Sequence, residues 1–265
     1  MVPMLEIARF QTRRRLKGTL ALSVAIGALV LFYVAMWPAM ADLNLDELFE
    51  GFPDIFLDMF GIIELGTIEG FLAAELYQFI WTLLLGLYFA YAGGGVIAGE
   101  FERNGLDISL SLPVTRTRLL LEEFTALFVP IVVVNVLVGL VVFGGVVALG
   151  EWIDPLYLML VHAASIPYLT ACLAIGLVLS VSLDRADIAQ RLAIGIVFAL
   201  WAIDSVSLTV DRDWLGWLSP SRYYQPSEIL VLETIELFDM VVLIVMTIVL
   251  VMAAIIIFKR RDLAA

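Results

Sequence analysis

Residues 124–149, F-T-A-L-F-V-P-I-V-V-V-N-V-L-V-G-L-V-V-F-G-G-V-V-A-L, contain no charged side chain. A helix rising about 1.5 Å per residue needs about 20 mainly apolar residues to cross a hydrocarbon core. This run meets that length and does not alternate in polarity as a barrel strand would. Working outward, the same test finds Thr19–Ala41, Leu76–Ala98, Leu156–Leu183, Ala189–Leu208 and Met240–Phe258. The prediction is an all-α membrane protein with six transmembrane helices, forming one transmembrane domain over residues 1–265. Composition agrees, since 62% of the residues are hydrophobic and the mean hydropathy is +1.02, well above a soluble domain.

Basic residues set the expected orientation, because cytoplasmic loops carry the excess of Lys and Arg. All of them except Arg212 and Arg222 fall before the first run, between runs two and three, flanking the link between four and five (Arg185 and Arg191), or after the sixth. Both termini are therefore expected in the cytoplasm, with the chain multi-pass in the cell membrane. Ala39-Met40-Ala41 looks like a signal-peptidase site, but the apolar stretch before it is too long for a signal sequence and suits a full span.

The formal net charge of −12 comes from acids in the segments expected outside, including Asp42–Glu75, Glu151, Asp154, Asp211, Asp213 and Glu228–Asp239. Two lysines against thirteen arginines, with so many carboxylates, suggest adaptation to high salt. Such a charge gives no reason to expect nucleic acid as a partner; the expected surroundings are a lipid bilayer. Residues 1–18 read as a basic amphipathic helix lying along the inner headgroup layer, an elbow before the first span. The outer segments, 42–75 and 209–237, read as interfacial helices, with Trp214, Trp217, Tyr223 and Tyr224 at headgroup depth.

Catalytic and metal-binding chemistry finds no motif. The outer acids lack calcium-loop spacing. One histidine, His162, and one cysteine, Cys172, give no metal cluster and no disulfide, so Cys172 reads as packing. No metalloprotease H-E-x-x-H, no nucleophile elbow and no phosphate-binding loop is present, since neither Lys17 nor Lys259 follows a glycine loop. No cofactor is expected to bind directly, and any use of ATP requires a partner chain. The polar residues inside the spans are Asn135, His162, Ser165 and Asp204. Polar groups at membrane depth are pathway candidates, which makes Asn135, His162 and Asp204 possible coupling groups of an ion-gradient carrier. Gly93, Gly94, Gly95 and Gly99 suit a tight helix contact or a sliding surface.

Between the second and third runs lies E-F-E-R-N-G-L-D-I-S-L-S-L-P-V-T-R-T-R, residues 100–118. Its alternation, Leu106, Ile108, Leu110 and Leu112, would suit a strand, yet a lone strand has unpaired edges; a short helix ended by Pro113 is preferred, with Thr115 capping the next helix. Here the chain resembles the permease subunits of ABC exporters of the ABC-2 type, through Glu100, Gly105, Leu110, Ser111, Leu112, Pro113, Val114, Thr115 and Arg116. The basic start, the six-span plan, Ser219-Pro220 and the closing F-K-R-R-D-L resemble that family too.

The resemblance implies that Glu102–Ser111 is a cytoplasmic coupling helix seated in a separate ABC ATPase subunit. Glu102, Arg103 and Asp107 would register against that partner, and Leu106 and Leu110 would pack into it. It also implies two ATPase copies and a second permease chain, identical or paralogous. A gradient-driven carrier and a non-transporting assembly subunit are the alternatives. The resemblance selects no substrate.

Overall fold

A computed structural model of the chain describes residues 6–43, 51–52, 57, 62–102, 115–209 and 212–261. Among these residues every regular element is helical. Six helices are long and apolar enough to cross a membrane: Ala8–Ala41, Ile68–Gly94, Arg116–Ala148, Pro155–Ser182, Ala186–Ser207 and Leu237–Arg260. We label the helices α1 (Glu6–Ala41), α2 (Ile68–Gly94), α3 (Ala98–Glu102), α4 (Arg116–Ala148), α5 (Pro155–Ser182), α6 (Ala186–Thr209), α7 (Pro226–Leu230) and α8 (Leu237–Arg260). Two 3₁₀ turns, Asp213–Leu218 and Pro220–Tyr223, precede α7.

Several helix boundaries depart from the hydropathy windows. α1 runs as one 36-residue helix, continuous through Gly18. Residues 6–18, expected as a separate elbow, continue without a break into the helix of the first span. α2 begins at Ile68, so Glu69 and Glu75, assigned to the outer loop from sequence, lie in its first turns. Thr67 caps it, its hydroxyl accepting from Gly70 N. Within α2, Ala73–Leu85 is π-helical, a geometry common at functional sites. The expected cap at Thr115 is present: its backbone is extended and its hydroxyl accepts from Arg118 N at 3.3 Å.

The α4–α5 reversal follows from its residues. Gly150 takes φ +82°, the left-handed conformation that glycine adopts without cost. This lets Gly150 N and Glu151 N close back onto Val147 O and Val146 O. Asp154 then caps α5 through Leu156 N at 2.7 Å, with Pro155 in the first turn.

α5 is the central helix: 72% of its apolar window is buried, against 22% for α6 and for α8. It packs on α2, α4, α6 and α8. At the α2–α5 crossing the two backbones come into close contact. A Cβ on Gly176 would collide with the Ala90 carbonyl, and one on Gly93 with the Leu173 carbonyl. Small residues let the two backbones approach, so the glycines serve tight packing. The outward face of α8 carries Val241, Val245, Ile248, Met252 and Ile256, all exposed and suited to lipid. Cys172 is fully buried, as expected of a packing residue.

Candidate functional site

The end of the bundle where the basic residues gather is tied together by charged side chains capping helix ends. Arg116 donates to Phe258 O at 3.1 Å and Arg261 O at 2.6 Å, with its guanidinium 6.0 Å from the Phe258 ring centroid. Arg261 in turn donates to Val181 O at 2.8 Å and Leu183 O at 3.3 Å and pairs with Asp184. The last carbonyls of a helix have no internal partner, so Arg116 closes the end of α8 and Arg261 the end of α5. Cations there also match the negative end of the helix dipole.

Glu102 makes the corresponding contact at a helix start. Its Oε1 accepts from Ala186 N, the first residue of α6, at 2.9 Å. Glu102 is therefore engaged within the chain, where the resemblance had assigned it to a partner surface. Nearby, Ser180 Oγ on α5 accepts from Ile97 N and Ala98 N, both at 2.9 Å, which fixes α3 against the bundle. Glu100 lies in α3, in electrostatic range of Arg15 and Glu123. Arg103, Gly105, Leu106, Asp107, Leu110 and Pro113 fall outside the described residues, so the expected coupling helix does too. The two described ends of segment 100–118 are thus bonded to different helices, Glu102 to α6 and Arg116 to α8.

Two further acids complete this end and escaped the sequence reading, because they sit just before the charge-free run. Glu122 and Glu123 are 4% and 2% exposed. Glu123 accepts from Gln11 Nε2 at 2.7 Å and Arg15 at 3.3 Å. Glu122 accepts from Arg118 Nε at 2.7 Å and Ala8 N at 3.3 Å. The basic start of α1 is therefore bonded to α4, which is the physical reason α1 continues straight.

Deeper in the bundle Asn135 and His162 come together, and two aromatics from the π-helical part of α2 join them. Asn135 Oδ1 accepts from Ser165 Oγ at 2.6 Å and Trp81 Nε1 at 3.2 Å, and contacts His162 Nδ1 at 2.9 Å. With Oδ1 an acceptor, Nδ1 carries the proton of a neutral imidazole, and Nε2 accepts from Tyr77 Oη at 2.9 Å. Tyr77 and Trp81 both meet the imidazole edge-on. The cluster joins α2, α4 and α5 with every polar atom partnered, and a cleft of about 410 Å³ between α4 and α5 reaches Asn135 and His162 from the lipid-facing side.

Asp204 is not part of this cluster. It is 7% exposed, at the opposite end of the bundle from Arg116, where Ser221 Oγ donates to Oδ2 at 2.7 Å and Arg222 to Oδ1 at 3.4 Å. Arg222, one of the two arginines remote from the basic end, pairs with Asp204 at 3.4 Å. Trp214 and Trp217 are 60% and 61% exposed, as aromatics at headgroup depth would be, whereas Tyr224 is buried. Among the described residues no group of His, Cys, Asp and Glu could hold a metal ion.

Six apolar helices around a glycine-tight α2–α5 crossing, with an interior polar cluster of Asn135, His162 and Ser165, define a polytopic membrane protein. The chain belongs to the ABC-2 family: a family profile described as "ABC-2 family transporter protein" matches residues 7–263. It is accordingly an ABC-type transmembrane permease, a multi-pass membrane protein. A comparison with curated proteins finds no match.

Proposed function

We propose that this permease is the membrane subunit of an ATP-driven exporter, working as a dimer with a second permease chain and coupled through residues 100–118 to two separate ABC ATPase subunits. The reading rests on the family and on one observation, that the segment's ends are bonded into the bundle. Glu102 holds the start of α6 and Arg116 the end of α8. A push on the segment between them would displace those two helices, while Arg261 would carry the motion on to α5. The chain has no phosphate-binding loop, so nucleotide chemistry belongs to the partner, and both termini would face it in the cytoplasm.

Replacing both Leu106 and Leu110 by Asp tests the partner contact. Membrane insertion is expected to persist while co-purification of the ATPase falls at least tenfold. Unchanged co-purification would remove the segment from the interface. Glu102→Gln and Arg116→Ala should keep the ATPase bound and lower transport per ATP hydrolysed, because they loosen the lever and leave its seat intact.

A further inference from the structure

At the end of the bundle remote from Arg116, the chain encloses a cavity of about 290 Å³, a size that suits a small ligand. Its walls come from α2, α6, the second 3₁₀ turn, α7 and the residues Leu57, Ile62 and Ile63 before α2. They carry two carboxylates, Asp204 and Glu228, one cation, Arg222, and the aromatic side chains of Trp201 and Tyr224. The two carboxylates differ in their surroundings. Asp204 is satisfied by Ser221 and Arg222, which engages the cation of the wall. Glu228 is half-buried, and no described residue donates a hydrogen bond to its carboxylate. Burial, followed by the neighbouring charges of Asp239 and Glu236, holds its pKa above the usual carboxylate range. Tyr224 is 1% exposed, and its hydroxyl has no hydrogen-bond partner among the described residues.

The wall therefore has more negative charge than it neutralises, set beside the indole of Trp201, whose face attracts cations, whereas the ring of Tyr224 is stacked on Tyr168. A divalent metal would want several oxygen ligands, and one of the two carboxylates here is already bonded within the protein. An organic ammonium instead needs one counter-charge and an apolar, aromatic surround, which Ile62, Ile63 and Trp201 extend. We propose that this cavity binds a small organic cation of the tertiary or quaternary ammonium class, with Glu228 as counter-charge and Trp201 as its aromatic wall. The site is independent of the ATPase coupling and stands or falls separately from it.

The test is isothermal titration of the full chain in lipid nanodiscs with tetraethylammonium, and in parallel with ethanesulfonate as an anion of comparable size. Saturable binding of one tetraethylammonium per chain is expected. Glu228→Gln should weaken it at least tenfold and Trp201→Leu at least threefold, while Asp42→Asn leaves it unchanged. Thermal melting of each variant shows whether it is folded, and if Glu228→Gln is not, the Trp201→Leu result decides alone. Absence of saturable tetraethylammonium binding, binding of ethanesulfonate in its place, or unchanged affinity in the folded deciding variant would overturn the proposal.

Discussion

Replacing Asn135 by Leu keeps the volume of the side chain and removes the oxygen on which the interior cluster converges. Three donors lose an acceptor, but they are not equally affected. Ser165 Oγ also reaches His162 O at 2.8 Å, and Trp81 Nε1 also reaches Ser165 Oγ at 3.2 Å. His162 Nδ1 contacts Asn135 alone among the described residues. Moving its proton to Nε2 gives no relief, because Tyr77 Oη would then accept from Nε2, leaving the Tyr77 proton without an acceptor among the described residues and Nδ1 as a bare buried acceptor. The net result is one orphaned buried donor and two weakened ones, against an average hydrogen bond between membrane helices of about 0.6 kcal/mol. An unsatisfied buried donor costs about 1–3 kcal/mol, so the expected loss is about 2 kcal/mol. The assay is reversible unfolding in mixed micelles by a detergent titration, read by circular dichroism. The pair Asn135→Leu with His162→Phe should be less destabilised than the sum of the single changes, because the second removes the group that the first orphans. A loss below about 0.5 kcal/mol for Asn135→Leu, or strict additivity, would refute the view that this cluster clamps α2, α4 and α5.

Gly176→Ala should be more damaging than its one added methyl suggests, since the Cβ meets the Ala90 carbonyl and backbone cannot rotate aside; about 3 kcal/mol or more is expected, read by the same titration. Arg116→Ala removes the bonds that close α8, and about 1–3 kcal/mol is expected for charge-assisted bonds at a half-buried site. Arg116→Lys should recover only part of it, because the planar guanidinium over the Phe258 ring is lost. Trp37→Phe breaks the 3.1 Å bond to Glu151 that ties α1 to the α4–α5 link and should cost about 1 kcal/mol, with the aromatic packing on Phe71 retained.

Hydropathy alone revealed the spans, because the requirement to satisfy every backbone group in lipid leaves little but long apolar helices. Their ends were not legible in the same way. A charge-free window stops at Phe124, yet α4 starts at Arg116 because Glu122 and Glu123 are bonded to α1 and need not reach water. Glu69 and Glu75 were placed in a loop for the same reason, since a window that excludes charge cannot include a helix's acidic first turns. Asn135 and His162 stood out as polar residues in oil. Tyr77 and Trp81 did not, because aromatic residues are ordinary in a span, and their four-residue spacing on one helix face carries no sign of a polar partner. Arg116 was legible as a residue of the polar segment, but its acceptors are carbonyls, which carry no sequence signal. Glu102 shows the same limit, its partner being the backbone N–H of Ala186.

The central claim is that an ABC ATPase seats on residues 100–118. Cys172 is the single native cysteine and is fully buried, so a thiol introduced at Leu106→Cys would be the reactive one. Labelling it in native membranes with a thiol-directed photo-crosslinker, followed by mass spectrometry of the adduct, reads the neighbour of the segment directly. The account predicts an adduct to a polypeptide bearing a phosphate-binding loop, suppressed when Leu110→Asp is added. Efficient labelling with crosslinks only to lipid or to other proteins would contradict it.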